Sequence, residues 1–350
     1  MQTIIRKIEK DEIETARQAA SIWKAGGLVA FPTETVYGLG GDGMNAAASG
    51  KIYAAKDRPG NNPLILHITE RSQLQGLVKE VNPWAKALMD VFWPGPLTLI
   101  LPKTDAVPYE TTGGLETVAV RMPSHPAAIR LLKEAGIPIA APSANRSGRP
   151  SPTRAEHVAQ DMDGRIEMIV DGGDVGIGIE STIVDVTGER PMLLRPGFIT
   201  VEMLESIVGS IDIDPVVLEQ ASATVRPKAP GMNYRHYAPK AGMLLVEGKR
   251  EDVASWINAR TAEAEGKKIG VLATDENLEL YKGGCVISVG STAKPQSIAH
   301  NLFRVLREFD DMNVDYIYSE SFSADGAGLA IMNRLLKAAG HQVKRVSDSE

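Results

Sequence analysis

The chain has 350 residues, 43% hydrophobic and 23% charged, with 38 Lys and Arg against 44 Asp and Glu for a formal charge of −6. That composition carries enough apolar surface to offset the entropy of ordering, which excludes a disordered chain, and at about 150 residues per domain it implies two domains. The acidic balance argues against a whole-molecule electrostatic affinity for nucleic acid, and the single cysteine, Cys285, excludes an intrachain disulfide or a cysteine-based zinc finger.

Along the first two hundred residues, short apolar runs alternate with helical periodicity. Strands are predicted over 3–8, 28–31, 64–68, 97–101, 118–122, 137–141, 166–171, 181–186 and 192–194. Helices are predicted over 11–25, stopped by Gly26-Gly27, from the Asn45 cap to about Lys56, from Pro83 behind the Asn82 cap, and over 126–135 before Gly136. The short spacing between Val186 and Met192 makes the sheet mixed. Residues 209–242 hold Pro215, Pro227, Pro230 and Pro239 with little periodicity, the signature of a linker. Alternation restarts with strands at 243–247, 268–273, 286–289 and 315–319. Helices there begin near Glu251 and Ser297, and a last one ends at Gly340. The division is therefore 1–208, 209–242 and 243–346. Residues 1–10 have mixed charge and no apolar core, so no secretory leader is expected. No window approaches the ~18 apolar residues of a membrane span, and the expected location is cytoplasmic.

Several familiar signatures fail. Gly38-Leu39-Gly40-Gly41-Asp42-Gly43 has dinucleotide-loop glycines but follows Phe31 through a polar loop rather than opening from the strand. Gly50-Lys51 lacks the upstream glycine and following hydroxyl of a P-loop, and no Gly-x-Ser-x-Gly elbow occurs. The six histidines are scattered without metal-ligand spacing. What stands out instead is a set of polar loops at strand ends, where α/β sheets hold ligands. They are Pro32-Thr33-Glu34-Thr35-Val36-Tyr37-Gly38-Leu39, Lys56-Asp57-Arg58-Pro59, Ser143-Ala144-Asn145-Arg146, and Glu180-Ser181-Thr182. Lys56, Arg58, Arg121 and Arg195 all sit at element ends beside Pro or Gly. Four such cations suggest a pocket for several negative charges, because a buried arginine needs an anion. Each loop also has a plainer explanation as a turn or helix cap, and a lone His67 in a strand is commonly structural.

Taken together, Lys56-x-Arg58, Ser143-x-Asn145, the Pro32–Leu39 loop, Trp93-Pro94-Gly95-Pro96-Leu97-Thr98 and the Pro230–Pro239 segment resemble the long-form threonylcarbamoyl-AMP synthases over essentially the whole chain. The resemblance implies an α/β fold: a YrdC-like twisted mixed open sheet with helices, then a linker and a small Rossmann-like α/β domain. It implies a nucleotidyltransferase that joins L-threonine, bicarbonate or CO2, and ATP, with Mg2+ on the phosphates and no metal ligand from the protein. The product would pass to downstream tRNA threonylcarbamoyltransferase proteins. By the same resemblance Lys56, Arg58, Ser143 and Asn145 are catalytic. Arg58, Asn62, Thr117, Ser143, Ser151, Arg195 and Tyr234 line the ATP site; Thr35, His67, Arg121, Ala141 and Ser181 line the threonine site. Tyr234 would lie in a strap across the catalytic mouth. The alternative is a non-catalytic module that binds double-stranded RNA or tRNA; a weak tRNA contact is compatible with either. No membrane partner is expected.

Overall fold

The computed structural model describes residues 2–217, 227–230 and 236–346. The chain forms two compact units: Met1–Ser147 with Ser151–Asn233, and Gly148–Pro150 with Tyr234–Glu350.

In the first unit the described residues form an eleven-stranded sheet. Its strands are β1 (Ile4–Lys7), β2 (Val29–Phe31), β3 (Gly38–Asp42), β4 (Ile65–His67), β5 (Leu97–Pro102) and β6 (Thr117–Arg121), then β7 (Ile139–Ala140), β8 (Met168–Asp171), β9 (Thr182–Asp185), β10 (Met192–Arg195) and β11 (Asp212–Ile213). They lie in the order β1-β8-β2-β3-β7-β4-β6-β5-β9-β10-β11. Parallel pairs such as β4 with β6 alternate with antiparallel pairs such as β5 with β6, and β9 with β10, so the sheet is mixed. Against one face pack the helices Glu12–Lys24 and Pro126–Ala135. Their small and apolar residues, among them Ala16, Ala19, Trp23, Ala128, Leu131 and Leu132, meet Val29, Phe31, Ile139, Met168 and Val170. The second helix has clear end signals: His125 Nδ1 accepts from the Ala127 N–H, Pro126 opens the first turn, and Gly136 closes it with φ 67°.

The glycine-rich stretch is a strand over Gly38–Asp42 rather than a loop, with Gly43 in the turn that follows. β3 runs antiparallel to β2, and glycine is required because a Cβ on Gly40 would stand 2.8 Å from Ile139 Cγ2 and 2.9 Å from Phe31 Cε1. Helices at Ala155–Met162 and Val201–Val208 were also not anticipated from sequence. The segment expected to begin a linker at 209 instead continues the first unit: β11 pairs in parallel with β10, and Val217 is buried.

The second unit is a five-stranded parallel sheet with the order β14-β13-β15-β12-β16. The strands are β12 (Gly242–Glu247), β13 (Ile269–Ala273), β14 (Cys285–Ser288), β15 (Tyr316–Glu320) and β16 (Val343–Arg345), the last not foreseen from sequence. The helices Arg250–Glu263, Pro295–Asp311 and Ala327–Ala338 alternate with the strands, as parallel pairing requires.

Candidate active site

The site begins as a matter of strand register. His67 on β4 stands opposite Arg121 on β6, Arg121 opposite Thr98 on β5, and Thr98 opposite Ile183 on β9. Residues directly opposite share a face, as do residues two apart. That same face therefore carries Ile65, Ala119 and Ile100, which pack with Ile183, Leu194 and Ala229. A polar row thus emerges from the edge of an apolar cluster, and its members are held in a dry setting.

Each polar member is cross-braced. Arg121 donates through Nη1 to Thr35 Oγ1 at 2.9 Å and through Nε to the Gly95 carbonyl at 3.3 Å, and its Nη2 lies 2.7 Å from Glu34 Oε1. Thr35 and Thr33 share a hydroxyl contact at 2.9 Å, and Thr33 Oγ1 donates to the Val36 carbonyl. Ser181 Oγ meets Thr98 Oγ1 at 2.7 Å and accepts from Arg195 Nη2 at 3.1 Å; Arg195 also donates to the carbonyls of Ser181 and Pro230. Ala141 donates its N–H to the Ile65 carbonyl, and its Cβ lies close to Gly38. Thr35, His67, Arg121, Ala141 and Ser181, the predicted threonine-site residues, are all buried.

Electrostatics divide this group. Burial, together with the Arg121 charge, pushes the His67 imidazole down to about 3, so the ring is neutral at working pH; its Nδ1 is 3.1 Å from the Ile65 carbonyl. Burial pushes the Glu34 carboxyl up, but the Arg121 charge and nearby backbone N–H groups outweigh it and hold the acid below its usual range. Glu34 is therefore a largely buried anion beside Arg121.

A second cluster grows from the helix Ala46–Lys56, which Asn45 caps through the N–H groups of Ala47 and Ala48. The helix ends at Asp57 in the left-handed conformation (φ 53°), so Lys56 and Arg58 leave on a reversed chain. Lys56 is 1% exposed, and its Nζ donates to the carbonyls of Ser143 and Asn145 at 2.5 Å each; the Ser147 N–H returns a bond to the Lys56 carbonyl. Ser143 Oγ donates to Asn145 Oδ1 at 2.6 Å. Arg58 donates to the carbonyls of Asn62 and Pro63, and Asn62 is buried beside it. Thr117 opens β6 at the end opposite Arg121, about 13 Å away at ~3.3 Å per residue.

The loops lace the two clusters together. Leu39 N–H donates to the Pro142 carbonyl, Ala144 N–H to the Tyr37 carbonyl, and Tyr37 N–H to the Pro152 carbonyl. Ser151 Oγ donates to Glu180 Oε1 at 2.5 Å, immediately before Ser181. These bonds tie loop 33–39, which carries Thr35, to the segments that carry Ser143, Asn145 and Ser151, and tie Ser151 to the residue before Ser181. Tyr234 lies outside the described residues. Two carboxylates had been given no role from sequence: Glu34, which pairs Arg121, and Glu180, which holds Ser151. The signal for the first was present, since a buried arginine demands an anion and Glu34 stands next to Thr35.

A mixed sheet whose strand ends meet polar loops holding buried Lys56, Arg58, Arg121 and Arg195 defines an α/β domain joined to a parallel α/β unit. Residues 21–197 match the Sua5/YciO/YrdC family model, described as telomere recombination, and residues 199–340 match the threonylcarbamoyl-AMP synthase C-terminal domain. The threonylcarbamoyl-AMP synthase of Bacillus subtilis (strain 168) is 50% identical over 96% of this chain and 97% of its own length. That of Pyrococcus abyssi is 48% identical over 99% and 100%. The crystal structure of P. abyssi Sua5 complexed with L-threonine superposes with a TM-score of 0.92 at 47% identity, covering 99% of this chain and all of that one. The chain belongs to the threonylcarbamoyl-AMP synthase family.

Proposed function

We propose that the chain condenses L-threonine, bicarbonate or CO2, and ATP into threonylcarbamoyl-AMP, releasing pyrophosphate. The threonine amine takes up the one-carbon unit as a carbamate. A carbamate oxygen then bonds to the α-phosphorus of ATP while the bond to the bridging oxygen of the β-phosphate breaks, and pyrophosphate leaves. No protein nucleophile is consumed, so catalysis rests on orientation and on charge stabilisation in a dry cleft.

The observation that carries this proposal is the juxtaposition of the buried His67–Arg121–Thr98–Ser181 group with the Lys56-laced Ser143–Asn145 loop. Arg121 offers its guanidinium to the threonine carboxylate, while Thr35, Ser181 and neutral His67 supply hydrogen bonds and Ala141 a close wall. Lys56 and Arg58 raise the potential where phosphates gather, and Ser143 and Asn145 orient carbamate or phosphate oxygens. Asn62, Thr117, Ser151 and Arg195 complete the nucleotide side, with Tyr234 assigned there by resemblance. Among the described residues no three His, Cys, Asp or Glu side chains gather as metal ligands. Glu34 and Glu180 already hold Arg121 and Ser151. By resemblance, Mg2+ is assigned to the ATP phosphates, where it keeps several waters. The adenylate would be consumed by tRNA-modifying proteins in the cytoplasm. No helix among the described residues is long and apolar enough to cross a membrane.

Pyrophosphate release from ATP tests the proposal. It should require both threonine and bicarbonate and fall at least ~100-fold in Lys56→Ala, the scale of a lost electrostatic stabiliser. Threonine-independent release, or full activity in the variant, would refute it.

A further inference from the structure

The residues assigned to threonine include a cation for its carboxylate and none with a formal charge for its ammonium. Glu34 is the carboxylate at that spot. It sits one residue before Thr35, its side chain is 13% exposed, and Oε1 is 2.7 Å from Arg121 Nη2. A carboxylate offers about four acceptor positions; Arg121 Nη2 engages Oε1 and both oxygens are shielded from water, which leaves room on the carboxylate for a further donor. Arg121 Nη2 is likewise buried with donor capacity left over, whereas Nη1 and Nε are committed to Thr35 and Gly95. Unspent capacity on both members of a buried pair is costly unless a ligand uses it.

We infer that Glu34 and Arg121 together form a zwitterion clamp, in which Glu34 binds the α-ammonium of the incoming amino acid while Arg121 binds its carboxylate. The inference rests on the threonine-activating function proposed above and adds a binding residue to it. A free amino acid carries its two charges on substituents of one carbon, and the pair presents the opposite charges side by side. A hydroxy acid of the same shape would satisfy Arg121 and leave Glu34 unmatched. The lowered pKa of Glu34 agrees with an acceptor that stays ionised before substrate arrives. Conversion to the carbamate removes the ammonium, so Glu34 favours free substrate over the later species. Its loss should weaken threonine binding more than it slows the bound complex.

The test compares threonine with its deamino analogue, 2,3-dihydroxybutanoate of matching configuration, by calorimetric titration of the full chain and of Glu34→Gln. The wild-type protein should prefer threonine by about 100-fold, and Glu34→Gln should cut that preference to about tenfold or less by losing threonine affinity while keeping analogue affinity. In turnover, the variant's KM for threonine should rise about tenfold with the KM for ATP unchanged and kcat little affected. Equal weakening toward both ligands would assign Glu34 a merely structural role and overturn the clamp. A wild-type preference below tenfold would overturn it without any variant, which covers the case of a variant that does not fold. Binding of neither ligand by the wild type would reject the threonine-activating function itself, and the clamp with it.

Discussion

Arg121 and His67 face each other across β4 and β6, and the guanidinium bears on the charge state of the imidazole. Arg121 is paired with Glu34; His67 loses its charge because burial and the adjacent guanidinium disfavour imidazolium. The histidine has a consequence for stability. The unfolded chain binds a proton at this residue below about pH 6.5, and the folded chain does not until about pH 3, so folding opposes protonation throughout that window. Stability from this group is fully present above pH 6.5 and is lost on acidification at up to about 1.4 kcal/mol per pH unit. Urea midpoints measured from pH 7.5 to 5 should therefore fall less steeply in His67→Gln than in the wild type. Identical slopes would contradict a buried neutral imidazole. At this scale the sequence was informative about residue type and silent about partner. The need of Arg121 for an anion is a general rule, but which carboxylate meets it depends on where a loop distant along the chain comes to rest.

The elements whose ends carry chemical markers were the most legible. Asn82 and Asn45 accept from helix N–H groups, and Gly136 adopts the left-handed conformation only it takes easily, so those boundaries follow from local chemistry. β3 was hidden because its Gly-Leu-Gly-Gly-Asp composition lacks the branched and aromatic residues that mark strands. Its pairing comes from tertiary contact: Trp23 Nε1 donates to the Gly40 carbonyl at 2.9 Å, and the indole and Phe31 close over the bare backbone. Gly40→Ala should destabilise the protein by about 1–3 kcal/mol through overpacking, measured by urea unfolding, whereas Gly50→Ala, where a Cβ meets nothing within 4 Å, should be neutral or stabilising. Equal effects at the two positions would show that β3 is not packed as described. The loop cluster obeys the same logic. Lys56→Ala strips the partner from two carbonyls, so its thermal transition should also drop, by an amount matching about 1–3 kcal/mol.

Across the whole molecule, strand order was the least legible property. β1 pairs with β8, and β9 with β5, through register that no local pattern encodes, so the sequence pointed to convergence of the site only through the four cations at element ends and through motif resemblance. What the fold accomplishes is to align His67, Arg121 and Thr98 from three neighbouring strands with Ser181, at the entrance to β9, in one polar row. On the proposed function, that row presents a threonine carbamate to the α-phosphorus of ATP. The most direct measurement is mass analysis of the nucleotide product formed from ATP, threonine and 13C-bicarbonate. The account predicts a threonylcarbamoyl-AMP one mass unit heavier than its unlabelled counterpart, with pyrophosphate in equal amount. Unlabelled threonyl-AMP, or ADP with inorganic phosphate, would contradict it.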